Sequence, residues 1–207
     1  IDSLKNKLFY LANGLDTSMF IPKINENSKK LKILYLGGLR KEKRIDKFLD
    51  ICNYLSIKNI DFNAKIVGSG PQRSDLIRYA KKLSLDRNLV EFIDQQESIV
   101  NYFNWSDILI QTSETEGMSN VILEAMASGL LVFSTYVGDV KSLIKNGING
   151  FIFSSHDSSK IISEFVEIIQ NKKYNFYDIK KKASLTVNQK YSLKLLELKL
   201  IELYELN

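Results

Sequence analysis

Residues 111–135 read QTSETEGMSNVILEAMASGLLVFST, and the fold is decided there. The stretch divides into a polar loop, a helix whose first turn falls near Met118, a glycine stop at Gly129 and a continuous apolar strand over 130–133. One charge breaks the apolar helix. Glu124 lies within VILEAMA, whose other residues are apolar or small on every face, so this carboxylate is drawn partly out of water wherever the helix packs. A buried carboxylate must find partners or neutralise. It can accept two hydrogen bonds at once, which suits the paired hydroxyls of a ribose. Glu116 stands in the loop feeding the helix, where Gly117, Met118, Ser119 and Asn120 bring free backbone N–H groups and the positive end of the helix dipole to a ready phosphate site. Two plainer readings stand beside this one. Ser113 to Glu116 fits a helix capping box, and Glu124 fits a helix charge paired with a neighbouring lysine.

Outward from this stretch the chain alternates strands and helices. Strands are expected over 32–36, 64–67, 89–92, 108–111, 130–133 and 150–153, and helices over 44–57, 72–83, 97–103, 119–128 and 140–145. This rhythm predicts an α/β fold: a Rossmann-like, doubly wound parallel sheet of about six strands with helices on both faces, whose ligands gather beyond the strand C-termini. Three segments follow: a linker over 1–30 with a short strand at 7–12, a Rossmann-like domain over 31–175, and closing helices over 176–207. Helices are expected over 158–170 and 193–206. The second carries more leucine and isoleucine than one face can bury, so part of it is expected to meet another domain.

Composition narrows the function. With 207 residues, 44% of them hydrophobic, the chain can bury a proper core. No apolar run reaches the roughly 18 to 20 residues that span a bilayer, and the start lacks signal-peptide order. The absence of an initiator Met suggests a fragment of a longer protein. A single cysteine, Cys52, forbids an internal disulfide, and the lone His156 offers no second imidazole for zinc. A reducing, cytoplasmic location is expected. The net charge of +5 comes from scattered lysines, with clusters at Lys29 and Lys30, 41–44, Lys81 and Lys82, and 180–182. They are not interleaved with aromatics and no nucleic-acid motif accompanies them, so nucleic acid is not expected as a partner. Most are solvated; some would attract anionic nucleotides or the inner face of an anionic membrane.

Other loops carry chemistry of their own. The first strand is followed by GGLRKEKR over 37–44, in which Gly38 lets backbone approach a phosphate and Lys43, at the following helix start, can neutralise it. The second strand ends in VGSGP over 67–71. Its third dinucleotide-fingerprint position is Arg73, and no acid is placed for a cofactor ribose, so NAD is disfavoured. Pro71 is expected to open the next helix.

Glu116, seven intervening residues and Glu124, followed by AMASG and an apolar strand, resemble the Glu-x7-Glu signature of the retaining glycosyltransferases of family 4, which have the two-domain GT-B fold. Asn13-Gly14-Leu15-Asp16, the 37–44 loop, Val67 to Pro71, Trp105 with Asp107, Val137-Gly138-Asp139 and Asn146 to Phe151 follow the family's remaining motifs in order, the last as a hairpin. The resemblance implies the C-terminal, donor-binding half of such an enzyme, partnered by a missing N-terminal acceptor domain. It implies a nucleotide-diphosphate sugar as substrate, with no cofactor and, for want of an Asp-x-Asp, no metal. By resemblance Glu116 contacts the donor sugar, Glu124 the ribose and Lys43 the diphosphate. The family's diphosphate arginine is replaced by Gly38, so Arg40 reaches round or the site works with one cation fewer. Phe92 and Ile93 stand where the family's loop faces the base, with Asp94 in place of its glycine. The activity implied is hexosyl transfer in polysaccharide or glycolipid synthesis, with the fragment alone inactive. Another GT-B enzyme, such as a 2-epimerase or phosphorylase, and a non-catalytic nucleotide- or protein-binding module are the rival readings.

Overall fold

The structure, a computed structural model, describes residues 12–22, 30–94 and 98–205. The apolar runs become six strands: β1 (Leu31–Leu36), β2 (Phe62–Val67), β3 (Val90–Ile93), β4 (Ile108–Gln111), β5 (Leu131–Thr135) and β6 (Phe151–Phe153). All pair in parallel, in the order β3-β2-β1-β4-β5-β6. The order reverses between β1 and β4, and sheets of this kind open a crevice beyond the strand C-termini at that point. Between the strands run α1 (Ile45–Ile57), α2 (Arg73–Lys82), α3 (Val100–Trp105), α4 (Asn120–Ala127) and α5 (Val140–Leu143). After β6 come α6 (Ser158–Gln170), α7 (Phe176–Lys190) and α8 (Leu193–Glu205).

Each face of the sheet buries its own core, because successive side chains of a strand point to opposite sides. In β1, Ile33 and Tyr35 join the side covered by α1, α2 and α6, whereas Leu34 and Leu36 join the side covered by α4 and α7. Phe133 of β5 anchors the first core. Its ring stacks on Phe151 at 5.0 Å and meets Phe165 of α6 edge-on at 4.9 Å. The second core is mostly aliphatic, with Ile122 and Met126 of α4 meeting Val132 and, from α7, Ala183 and Val187, and with Phe20 and Phe103 paired edge-on at 5.8 Å.

Several expectations shift. β5 continues two residues past 133, and α3 runs to Trp105. Pro71 lies in a turn and α2 starts at Arg73, because the Arg73 amide still bonds the Gly70 carbonyl across that turn. The 146–150 segment is a tight turn closed by the Gly147 amide on the Gly150 carbonyl at 2.8 Å; β6 runs parallel to β5, so no hairpin forms. Residues 7–11 of the expected first strand lie outside the described residues, and Ala12 is not in a strand. Asp107 and Trp105 have structural roles: the Asp107 carboxylate accepts the Lys32 amide at 3.2 Å, and the Trp105 ring faces the Lys65 ammonium at 4.3 Å. The α7 helix, placed with the closing helices by the sequence, covers α4 and β5 directly. Leu193, Leu198 and Ile201 of α8 stay exposed.

Truncating Phe133 removes the ring on which three others pack. Phe133→Ala is expected to cost about 3 to 5 kcal/mol, read as a lower urea midpoint at unchanged slope. A loss below about 1 kcal/mol would show that the aromatic cluster is not the anchor.

Candidate functional site

The loops leaving β1 and β4 are joined to each other. Lys43 closes a 3-10 turn, Lys41–Lys43, and Arg44 follows in the left-handed region at φ 48. Lys43 is therefore set off from α1 rather than being part of its first turn. The β4–α4 loop clasps this turn: the Thr112 hydroxyl donates to the Arg44 carbonyl at 2.7 Å and the Glu114 amide to the Glu42 carbonyl at 2.8 Å. The Arg44 guanidinium spans Asp46 and Glu114. Lys47 is buried beneath, and that burial holds its ammonium below the usual lysine range.

The clasp brings Lys43 onto Glu116, with Nζ 2.5 Å from Oε1 and both side chains mostly buried. The Ser113 hydroxyl donates to the same oxygen at 2.8 Å. Ser113 thus orients Glu116 rather than capping a helix, because α4 begins only at Asn120. The backbone is pressed from the other side by Gly138, whose φ of +49 and a would-be Cβ only 2.1 Å from the Glu116 carbonyl leave room for no side chain.

The cleft between these loops encloses about 250 Å³ and is lined by Gly38, Lys43, Glu116, Met118, Ser119 and Asn120, together with Tyr35, Gln111 and Val121. Ser119 caps α4 without a side-chain hydrogen bond, and the first turn holds no acid. The opening amides of α4 therefore remain unsatisfied donors beside the cleft, with the positive end of the dipole uncompensated. Gly117 is exposed, with open space where a Cβ would stand.

Glu124 follows Asn120 by one turn on the same face of α4. Its Oε2 is buried and has no hydrogen-bond partner among the described residues, and burial raises its pKa above the ordinary 4.5. The lysine partner of the plainer reading is not there. A buried carboxylate oxygen without a donor is at odds with the satisfaction of buried polar groups, and such exceptions mark candidate functional positions.

Other expected site residues lie apart. Arg40 is exposed, yet its side chain folds back over Gly38, with Nε 3.6 Å from where a Gly38 Cβ would sit. Phe92 packs into the first core and Ile93 against the second, one strand beyond β2, so neither side chain lines the cleft. Asp94 and Arg73, both departures from the expected pattern, pair at 2.9 Å. The 67–71 glycines serve the backbone. A Cβ on Gly68, at φ +151, would fall 1.9 Å from the Gly37 carbonyl, and the Leu39 amide bonds the Ser69 carbonyl at 2.8 Å.

The cleft is also supported by groups for which the sequence offered no site role. Tyr35 is fully buried; burial, then Glu116 and Glu42, keep its phenol protonated, and it donates to the Gly38 carbonyl at 3.1 Å. Gln111 donates to the Leu36 carbonyl at 2.9 Å, and Thr135 to the Ser113 carbonyl at 2.5 Å. Their signal was a polar residue where a strand ends. Asn13 donates its side-chain amide to the Asn120 carboxamide oxygen at 2.8 Å and its backbone N–H to the Met118 sulfur.

The sequence profile of the family described as Glycosyl transferases group 1 matches residues 16–185. An uncharacterized glycosyltransferase of Haemophilus influenzae is 34% identical over 141 residues, covering 67% of this chain and 39% of that protein. The UDP-Gal:alpha-D-GlcNAc-diphosphoundecaprenol alpha-1,3-galactosyltransferase of Escherichia coli is 29% identical over 182 residues, covering 82% and 47%. The chain thus spans less than half the length of both relatives. The C-terminal domain of a glycosyl transferase group 1 family protein from Francisella tularensis superposes with a TM-score of 0.74 at 26% identity, covering 87% of this chain and all of that one. The Anabaena protein Alr3699/HepE, solved with UDP and glucose, superposes at 0.82 with 18% identity, covering 95% and 56%.

Glu124 generates a test on the protein alone. Its folded pKa is raised, so above that pKa the buried charge opposes folding, and the penalty is lost as pH falls toward the unfolded value of 4.5. Glu124→Gln is expected to raise the melting temperature at neutral pH, with the gain shrinking in acid. A variant less stable than the parent at pH 7 would mean that the carboxylate is already satisfied.

Proposed function

Because the chain belongs to the Glycosyl transferases group 1 family, we propose that it is the donor-binding half of a retaining glycosyltransferase of family 4, taking a sugar from a nucleoside-diphosphate sugar. The observation that carries this reading is the unpartnered Glu124 carboxylate one turn below the open amides of α4. A ribose can give that carboxylate two hydroxyl donors while the attached diphosphate lies against the amides. The bound UDP of the Anabaena protein shows that a fold of this kind takes such a ligand.

Breaking an anomeric bond to a diphosphate builds negative charge on the departing phosphate. Preorganised donors there contribute roughly a hundred- to a thousandfold in rate for one well-placed group. Lys43 and the α4 amides supply them without a metal. Lys43 and Glu116 neutralise each other, so neither stands unpaired. The diphosphate then draws Lys43 onto itself and leaves Glu116, still oriented by Ser113, for the sugar hydroxyls. Arg40, folded over Gly38, takes the place of the arginine that the family pattern puts there. Glu116 orients the donor and is no nucleophile. The acceptor belongs to polysaccharide or glycolipid synthesis at the cytoplasmic face of a membrane, to which the protein attaches peripherally; among the described residues no helix is long and apolar enough to cross one. An N-terminal domain of the same protein holds the acceptor.

Thermal-shift screening with UDP, GDP, ADP and their sugars tests the reading, which fails if none protects. The protecting nucleotide is expected to bind equally well with EDTA. Glu124→Gln should bind it ten- to a hundredfold more weakly, since hydrogen bonds to a charged acceptor are worth about 1.5 to 3 kcal/mol. Lys43→Ala should weaken binding more than Arg40→Ala, and the reverse order would move the diphosphate to Arg40.

Residues 1–207 alone should bind the donor yet transfer no sugar. Holding both reactants in a closed cleft supplies on the order of 7 to 11 kcal/mol in favourable cases, and that needs the acceptor domain. Turnover by this chain would show that its cleft is complete.

A further inference from the structure

At the other end of the strands, α7 and the connection before it leave a second cavity, of about 420 Å³. Leu31 lines this cavity and Leu36 the first, at opposite ends of β1; five steps along a strand separate them by about 16 Å. The strand starts Ile108 and Leu131 form its floor, and Ile169 of α6 closes one side. The Tyr174 and Phe176 rings make its wall, stacked at 6.5 Å and both set edge-on against the buried Phe151, so it is already formed.

Lys180 of α7 also lines the cavity. The residue is only 9% exposed, and among the described residues no hydrogen-bond or ion-pair partner reaches it. Asp107, which also lines the cavity, attracts it through space, but that carboxylate already accepts the Lys32 amide. Burial holds the ammonium below the usual lysine range, with Asp107 opposing. A cation drawn this far out of water without a partner is costly, and an anion entering the cavity would offset the cost.

The charges define that anion. The Lys180 ammonium can pair one anionic head group, while the Asp107 carboxylate on the same cavity repels a phosphate dianion about twice as strongly as a monoanion. The apolar floor and aromatic wall ask for an apolar body, and the volume falls within the range of small-molecule sites. We propose that this cavity is a binding site for a small amphiphilic monoanion, a carboxylate or sulfonate on an aromatic or aliphatic body, with Lys180 as the partner of its head group. The site is separate from the cleft at the strand C-termini and does not rest on the function proposed for it.

The probe is 8-anilinonaphthalene-1-sulfonate, an aromatic monoanion, titrated by fluorescence into the chain. One saturable site is expected. Lys180→Met keeps the stem and removes the charge, and should weaken binding at least tenfold, whereas the neutral N-phenyl-1-naphthylamine should not distinguish the two proteins. Amide chemical-shift mapping on the unaltered chain gives an answer even if the variant misfolds. Shifts should concentrate at Leu31, Ile108, Leu131 and Tyr177. Equal affinity in a folded Lys180→Met protein, or shifts centred on the exposed leucines of α8 or on Gly37 and Asn120, would overturn the proposal.

Discussion

Thr112 gives its hydroxyl proton to the carbonyl of Arg44, and the arrangement of the cleft depends on that contact. Thr112 is fully buried, directly after a strand that is itself buried along its whole length, so its place is fixed by the sheet. The partner carbonyl belongs to a residue in the left-handed region, a conformation that a long side chain adopts only when its surroundings impose it. The Glu114 amide adds a second tie, and the Arg44 side chain a third. Lys43 meets Glu116 because of these contacts, although 72 residues lie between them in sequence. The ion pair is the visible result; the backbone clasp is the cause.

Much of this was legible in the sequence, for reasons that differ by element. The strands declare themselves because a parallel sheet covered on both faces needs apolar residues at successive positions, so ILI before Gln111 and LVF after Leu130 admit no other place. Glu124 was legible for the converse reason: a charge inside an apolar helix is an anomaly whatever the helix packs on. What could not be read was how side chains at strand ends would turn. Gln111 satisfies the last carbonyl of β1, Thr112 a carbonyl beyond that strand and Thr135 one in the loop after β4, and that pairing exists only once β1, β4 and β5 lie side by side. At Phe92 and Ile93 the family's loop offers its backbone to the base, and the alternation of β3 sends the two side chains against the two cores, which leaves only that backbone for a ligand.

The glycines of 67–71 carry a related lesson. A Gly-x-Gly after a strand suggests phosphate binding, yet here both glycines admit the neighbouring β1 loop: a Cβ at Gly70 would fall 2.5 Å from the Leu39 carbonyl. The loop after β1, and not the loop after β2, is left free to face a ligand. Arg73, which stands at the third position of a dinucleotide fingerprint, and Asp94, which replaces the family's glycine, answer each other across the β2 and β3 loops. A surface pair of this sort is worth about 0 to 1 kcal/mol, so it fixes position more than stability.

Asn13 is bonded both to Asn120 and to the Met118 sulfur, while Leu15, two residues on, exchanges backbone hydrogen bonds with Tyr191 and Leu193 at the start of α8. The incoming chain and the last helix are thus fastened together, and both are fastened to the turn at the mouth of the cleft. Thermodynamic reciprocity then applies. A ligand that favours one setting of that turn would favour one path for residues 12–16 by the same free energy.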